Sequence, residues 1–286
     1  MEIITNPEAM HQWSRERFRS GKTIGLVPTM GFFHEGHLSL MRKAAEVCDL
    51  VVVSLFVNPT QFGPNEDLDR YPRNFERDMA LAGQERVAAV FAPTPDLMYP
   101  DGFQTEVRVK ELAHHLCGLS RPGHFTGVTT VVSKLFHIVQ PDVAVFGEKD
   151  FQQLAIIRRM VKDLNIGITI IGHPIVREAD GLAMSSRNAN LDPAHRTAAL
   201  SLSTALKLTR ERVRSGIIDT TVLHRELEAH IHAHPVATID YVSFVDCETL
   251  AAAATVNERT VLALAVKIDG KVRLIDNGFL LEPNAA

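Results

Sequence analysis

Two nearly continuous apolar runs, Ile24 to Val27 and Leu50 to Val57, bracket a helical pattern of Leu38, Leu40, Met41, Ala44, Ala45 and Val47. Runs rich in β-branched residues, with no polar alternation, suit strands covered on both faces in a parallel sheet. Strand, helix and strand make a βαβ unit that crosses over right-handed. The spacing therefore predicts an α/β protein with a Rossmann-like, open parallel sheet flanked by helices. Val87 to Ala92, Val143 to Phe146 and Ile168 to Ile171 read as further strands of that sheet. Asn6-Pro7 opens a helix ahead of it, with a capping side chain followed by proline at the first helical position, and Gly21 closes that helix.

The pattern changes near Gly172 to Arg177. Beyond Asp192-Pro193 come helical stretches at Ala194 to Arg214 and Thr220 to His234, then strand-like runs at Ile239 to Val245, Thr260 to Val266 and Val272 to Ile275. Helices followed by strands indicate a smaller C-terminal α+β domain with an antiparallel sheet, and Asp269-Gly270 marks a hairpin. We expect a catalytic domain over 1–174 and a lid domain over 175–286, with a hinge near Pro174.

Between the first two runs lies Pro28-Thr29-Met30-Gly31-Phe32-Phe33-His34-Glu35-Gly36-His37. This turn puts His34 and His37 at the carboxyl edge of a strand and over a helix N-terminus, where free N–H groups and the helix dipole favour an anion such as phosphate. Taken alone, a His-x-x-His pair suits a turn cap and a packed ring equally well. A zinc-protease site needs histidines four apart on one helix, which this spacing excludes. Neither a dinucleotide fingerprint nor a P-loop lysine motif occurs.

Asn58-Pro59-Thr60-Gln61-Phe62-Gly63 follows the second strand, and the polar run Asn65 to Arg77 reads as a surface excursion. Gly147-Glu148-Lys149-Asp150 forms another strand-to-helix turn, with Gln153 just beyond, while Arg121 and His124 precede a helix through Val128 to Ile138. Met184-Ser185-Ser186-Arg187 lies on the connection between domains, where hydroxyls and a bidentate cation can close over a polyphosphate; alone it also fits a surface turn with a cap. Each motif has an ordinary explanation singly. Together they fall at one edge of one predicted sheet, where open α/β folds collect ligands.

A chain of 286 residues with 45% apolar content supports two modest cores. Its net charge of −4 offers no basic surface for nucleic acid. Cys48, Cys117 and Cys247 are too few and scattered for a disulfide framework or a four-ligand zinc site. Met1 to Gly21 lacks an apolar signal core, and no apolar run reaches membrane-spanning length. We expect a reduced, cytoplasmic protein with no membrane partner.

His34-Glu35-Gly36-His37 resembles the HIGH motif of the nucleotidylyltransferase superfamily, and Met184-Ser185-Ser186-Arg187 resembles its KMSKS counterpart. More narrowly, Pro28 to His37, Phe56 to Phe62, Phe146 to Leu154 and Asp180 to Asn188, in this order, resemble the pantothenate synthetase family. The resemblance implies ATP-dependent joining of pantoate to β-alanine through a pantoyl adenylate. It implies an ATP site of Met30, Gly31, Phe32, Phe33, His34, Glu35, Gly36, His37, Gly147, Glu148, Lys149, Asp150, Val176, Met184, Ser185, Ser186 and Arg187. Of these His34, His37, Lys149 and Arg187 carry the chemistry, with His37 as the acid and fixed cations stabilising the phosphates. Gln61 and Gln153 are implied to hold pantoate, with Asn58, Arg121 and His124 at the substrate end. Mg2+ is implied on the ATP phosphates with Asp78 as a contact, and the assembly is implied to be a homodimer. Thr60 departs from the methionine common in that family and makes the pocket wall smaller and more polar. Competing readings are another adenylyltransferase of the superfamily, which would not need Gln61 and Gln153, and a non-catalytic nucleotide-binding regulator, which would not cleave ATP. A class I aminoacyl-tRNA synthetase would need a basic surface for tRNA.

Overall fold

The computed structural model describes residues 1–64 and 66–281, and Asn65, where the predicted surface excursion begins, lies outside them. Strands β1 (Glu2–Ile4), β2 (Ile24–Thr29), β3 (Leu50–Leu55), β4 (Ala89–Phe91), β5 (Val143–Gly147) and β6 (Thr169–His173) form a parallel sheet. Their lateral order is β1-β4-β3-β2-β5-β6. The chain thus winds one way from β2 through β4, then crosses to β5 on the other side. The crevice between the carboxyl ends of β2 and β5 is the topological switch point, where open α/β sheets bind ligands.

Alternation along the strands sends side chains to two cores. Leu26, Val52 and Phe146 pack beneath α1 (Pro7–Arg19), α6 (His124–Val139) and α7 (Phe151–Asp163). Val27, Val51, Val53 and Val145 pack against α2 (Glu35–Val47) and α3 (Phe75–Gln84). The predicted Asn6 cap is present, its side chain accepting from the Ala9 N–H at 3.0 Å, with Pro7 at the first helical position. Strand β1 was not foreseen, because three residues at a sheet edge leave too short a pattern. The predicted irregular region between β4 and α6 contains only the short helices α4 (Pro95–Met98) and α5 (Cys117–Ser120) and one 3-10 turn.

The C-terminal part begins with α8 (Arg196–Ala199), α9 (Ser201–Arg214) and α10 (Thr220–His232). The predicted helix over Ala194 to Arg214 is therefore divided near Leu200. Antiparallel strands β7 (Ala237–Asp246), β8 (Thr260–Ile268) and β9 (Val272–Phe279) follow. Asp269 and Gly270 make the predicted hairpin turn, both with positive φ. Strand β8 is buried on both faces: Leu262, Leu264 and Val266 pack beneath α9 and α10, whereas Val261 and Ala263 join the core of the main sheet. Among the described residues no helix is long and apolar enough to cross a membrane.

Candidate active site

The turn from β2 into α2 is held by Asp78 of α3, whose carboxylate accepts from the Phe32 and Phe33 N–H groups at 2.7 Å each. Asp78 is 1% exposed, and burial pushes its pKa up while those two bonds oppose the shift. Beside the magnesium contact expected of it, Asp78 thus has a structural task, fixing the turn with both oxygens. Among the described residues no cluster of three or more His, Cys, Asp or Glu side chains could hold a metal.

The turn brings the two histidines together, with ring centroids 4.1 Å apart. His34 is the N-cap of α2 in extended conformation, so the helix begins at Glu35, earlier than the predicted Leu38. Its backbone N–H donates to His37 Nδ1 at 3.4 Å. That bond requires a lone pair on Nδ1, so neutral His37 carries its proton on Nε2. Gly36 is required here, because a Cβ would stand 2.9 Å from the His34 ring. Burial, helped by the Lys149 charge, lowers the His34 pKa to about 4. Burial and then the His34 and Lys149 charges hold His37 well below its ordinary value. Both rings are neutral donors near pH 7, not the fixed cations expected; Lys149 and Arg187 carry the positive charge.

Lys149 rises from the turn after β5, with Nζ 4.0 Å from Asp150 Oδ2. Across the crevice runs the 174–188 connection. Arg177 and Ala183 pair in an antiparallel bridge, and the Met184 N–H donates to the Val176 carbonyl at 2.9 Å. This narrow hairpin delivers Ser185, Ser186 and Arg187 to the cleft, where Ser186 Oγ donates to the Phe32 carbonyl at 3.3 Å. Arg187 makes a bidentate pair with Asp67 at 2.8 and 3.0 Å and lies over the Tyr71 ring.

The other wall comes from the 58–61 loop and α6. Asn58 is 1% exposed and bonds to the Gly127 carbonyl at 3.1 Å, the Tyr99 hydroxyl at 2.8 Å and the Thr60 hydroxyl at 3.0 Å. Asn58 also donates to Gln61 Oε1 at 3.2 Å. It thus orients Gln61 while itself lining the cleft. Arg121 pairs with Glu66, and its Nη1 donates to His124 Nε2 at 3.1 Å; His124 Nδ1 in turn donates to the Gln61 carbonyl at 2.8 Å. Arg121 and His124 thus brace the Gln61 backbone. Helix α6 approaches this loop so closely that a Cβ on Gly127 would lie 2.4 Å from the Thr60 carbonyl oxygen.

The cleft has two lobes of about 230 and 360 Å3 that share Arg121, His124, Lys149, Asp150, Gln153, Ser185 and Arg187. The smaller is also lined by Met30, His34, Gly36, His37, Asn58, Gln61, Gly147, Val176, Met184 and Ser186, with an apolar wall of Val128, Val131 and Leu135. Most of the sequence-derived set thus meets in one place. Six positions do not line it, Asp78 among them because it is buried behind the turn. Gly31, Phe32 and Phe33 supply turn backbone, with Phe33 fully buried; Glu35 is exposed and pairs with Arg42; and Glu148 lies behind its turn beside Gly172. Sequence reasoning missed Asp67, Tyr71, Gly127 and Asn277. Gly127, inside a strong helical pattern, left a readable signal, since an interior glycine usually marks a close approach.

His124 yields a pH expectation. Burial, and then the Arg121 charge, lowers its pKa from the ordinary 6.5 to about 4. The unfolded chain therefore binds more protons between those values, so the contribution is complete above 6.5 and is lost as pH falls towards about 4. Melting temperature measured across that window should fall less steeply in His124→Gln than in the parent; parallel curves would refute a neutral His124.

The family model for Pantoate-beta-alanine ligase matches residues 2–279. The pantothenate synthetase of Heliobacterium modesticaldum is 56% identical over 277 residues, covering 97% of this chain and 98% of that protein. A crystal structure of pantothenate synthetase from Thermus thermophilus superimposes with a TM-score of 0.92 at 42% identity, covering 98% of this chain and 99% of the other. The pantoate-beta-alanine ligase of Francisella tularensis, crystallised with beta-gamma ATP and beta-alanine, has a TM-score of 0.80 at 36% identity, covering 99% and 100%.

Proposed function

The chain belongs to the pantoate-beta-alanine ligase family, and from that premise we propose how its cleft divides the work. The reaction joins pantoate to β-alanine and converts ATP to AMP and diphosphate. A pantoate carboxylate oxygen attacks the α-phosphorus, and diphosphate leaves. The β-alanine amine then attacks the adenylate carbonyl, displacing AMP and losing a proton as the amide forms.

The observation that carries this assignment is the meeting of three segments at the β2/β5 switch point: the histidine pair, the Lys149 turn and the Ser185 to Arg187 hairpin. Negative charge grows on the α-phosphate and on departing diphosphate in the first step, and preorganised donors stabilise it. His37 presents Nε2–H to the phosphates beside His34, and Lys149 and Arg187 add charge. Met30, Gly36, Gly147, Asp150, Val176 and Met184 surround the nucleotide, with Gly31 to Phe33 shaping the turn beneath it, and Ser185 and Ser186 cradle the triphosphate. Pantoate carries a hydroxyl on each side of a dimethyl carbon, one of them next to its carboxylate. Gln61 and Gln153 suit the polar groups, and the Val128, Val131 and Leu135 wall suits the methyls. Mg2+ comes with ATP and lowers the phosphates' charge. The 1–174 segment supplies the catalytic face and 175–286 the cover, in a cytoplasmic homodimer; light scattering of purified protein tests the dimer.

Product analysis with ATP, Mg2+ and pantoate, with and without β-alanine, tests the reaction. Pantothenate and AMP should accumulate only in the complete mixture; AMP with a different acid alone would change the substrate. Gln153→Ala should raise the KM for pantoate roughly tenfold or more while the KM for ATP changes little, as expected for lost hydrogen bonds to a polar ligand. An unchanged pantoate KM would remove Gln153 from that pocket.

A further inference from the structure

Neither resemblance nor motif singles out the end of β9, yet two of its side chains reach the phosphate-facing segments. Asn277 is 8% exposed, and its Nδ2 donates to the Glu148 carbonyl at 3.0 Å and to the Lys149 carbonyl at 2.9 Å. Two acceptors in a row identify that atom as the amide nitrogen, with one hydrogen for each. Next to it, Asp276 is 2% exposed and takes a bidentate pair from Arg177 at 2.7 and 2.9 Å. Arg177 stands at the base of the hairpin that delivers Ser185 to Arg187, and also donates to the Gly181 carbonyl at 3.0 Å. Asp276 Oδ1 further accepts the Asn277 N–H at 2.8 Å, so the two anchors are joined.

We propose that Asn277 is a positioning residue for adenylation: it fixes the turn that aims Lys149, and with Asp276 it ties that turn to the Ser185–Arg187 hairpin. Strand β9 comes from the second domain, whose β8 packs Val261 and Ala263 into the main core. The C-terminal sheet is therefore a rigid mount for the phosphate grip as well as a cover. Among uncharged side chains of this length, only the asparagine amide offers one hydrogen to each carbonyl. Glutamine carries both hydrogens on a longer arm, and at this depth the extra methylene must displace the turn.

The inference rests on the reading that Lys149 grips phosphate, so the test separates the two. Pantoate-dependent diphosphate release from ATP is measured for the parent, Lys149→Ala, Asn277→Ala, Asn277→Leu and the double variant Lys149→Ala/Asn277→Ala. Leucine keeps the bulk of asparagine and removes both donors. Each Asn277 variant should retain a cooperative melt, lose adenylation rate on the order of a hundredfold, and keep the KM for β-alanine within about threefold, since a small misplacement of a catalytic group carries a penalty of that size. In the Lys149→Ala background the Asn277 change should add little, because its effect passes through that lysine. Parental rates in both Asn277 variants, or fully additive losses in the double variant, would overturn the proposal while leaving Lys149 in place. A parental rate in Lys149→Ala would remove the grip itself and the proposal with it. If the alanine variant does not fold, the leucine variant decides by the same criteria.

Discussion

His37→Ala is expected to fold like the parent and to lose turnover by roughly a hundredfold or more, because one lost donor to a developing oxyanion is worth about 3 kcal/mol. The ring's structural duty is small: it accepts one 3.4 Å bond from the His34 N–H at the start of a helix. Its chemical duty is larger, since that bond commits Nδ1 as acceptor and leaves Nε2–H for the phosphates. His37→Gln offers an amide N–H from a similar reach and should recover part of the loss. Diphosphate release under saturating ATP and pantoate is the readout, and turnover equal to the parent in the alanine variant would eliminate the role. The neutral state of the ring matters for activity as well. A donor held well below its ordinary pKa keeps one protonation state across the physiological range, so turnover set by His37 should be flat between about pH 7 and 8.

Gly127→Ala should be damaging out of proportion to the single methyl group it adds. In a helix interior this change ordinarily stabilises by up to about 1 kcal/mol. Here the new Cβ would lie 2.4 Å from the Thr60 oxygen, 2.6 Å from its carbon and 2.7 Å from the Gln61 nitrogen. All three are backbone atoms, so no rotamer relieves the clash, and the helix and the 58–61 loop must part. Overpacking of this kind costs about 1–3 kcal/mol. Parting would also stretch the Asn58 to Gly127 bond and shift Gln61, which Asn58 orients. We expect a lower melting temperature together with a pantoate KM raised more than tenfold, and little change for ATP. A variant as stable as the parent, with normal pantoate dependence, would show that the loop moves freely.

The fold was legible wherever patterns were long. Continuous β-branched runs marked β2, β3 and β5, the Asn6-Pro7 cap marked α1, and Asp269-Gly270 marked the second hairpin. Strand β1 escaped because Glu2 to Ile4 has no room for a period, and the start of α2 escaped because histidine is an unusual cap. The site was legible where it depended on local order: the histidine pair and the Lys149 turn each follow a strand end, and the Ser185 to Arg187 segment is a compact motif on the connection after β6. What could not be read was any partnership across the chain. Asp78 reaches Phe32 and Phe33 from another helix, Asn277 reaches Lys149 from another sheet, and nothing in their neighbours along the sequence records the contact. Charge state escaped for the same reason, since burial of both imidazoles comes from packing that the motif does not contain.

Arg121 and Arg187, the two arginines shared by both lobes of the cleft, are already held by carboxylates, Glu66 and Asp67. Part of the cleft's positive charge is therefore neutralised before a polyanion settles, and an incoming anion takes the Nε and Nη2 edge of Arg187 by trading places with Asp67. A carboxylate offers two oxygens in the plane of the guanidinium, and a competitor must match that fork to win the exchange. Phosphate oxygens do; a spherical halide cannot. Discrimination against the abundant small ions of the cell is thus built into the contacts the cleft makes with itself.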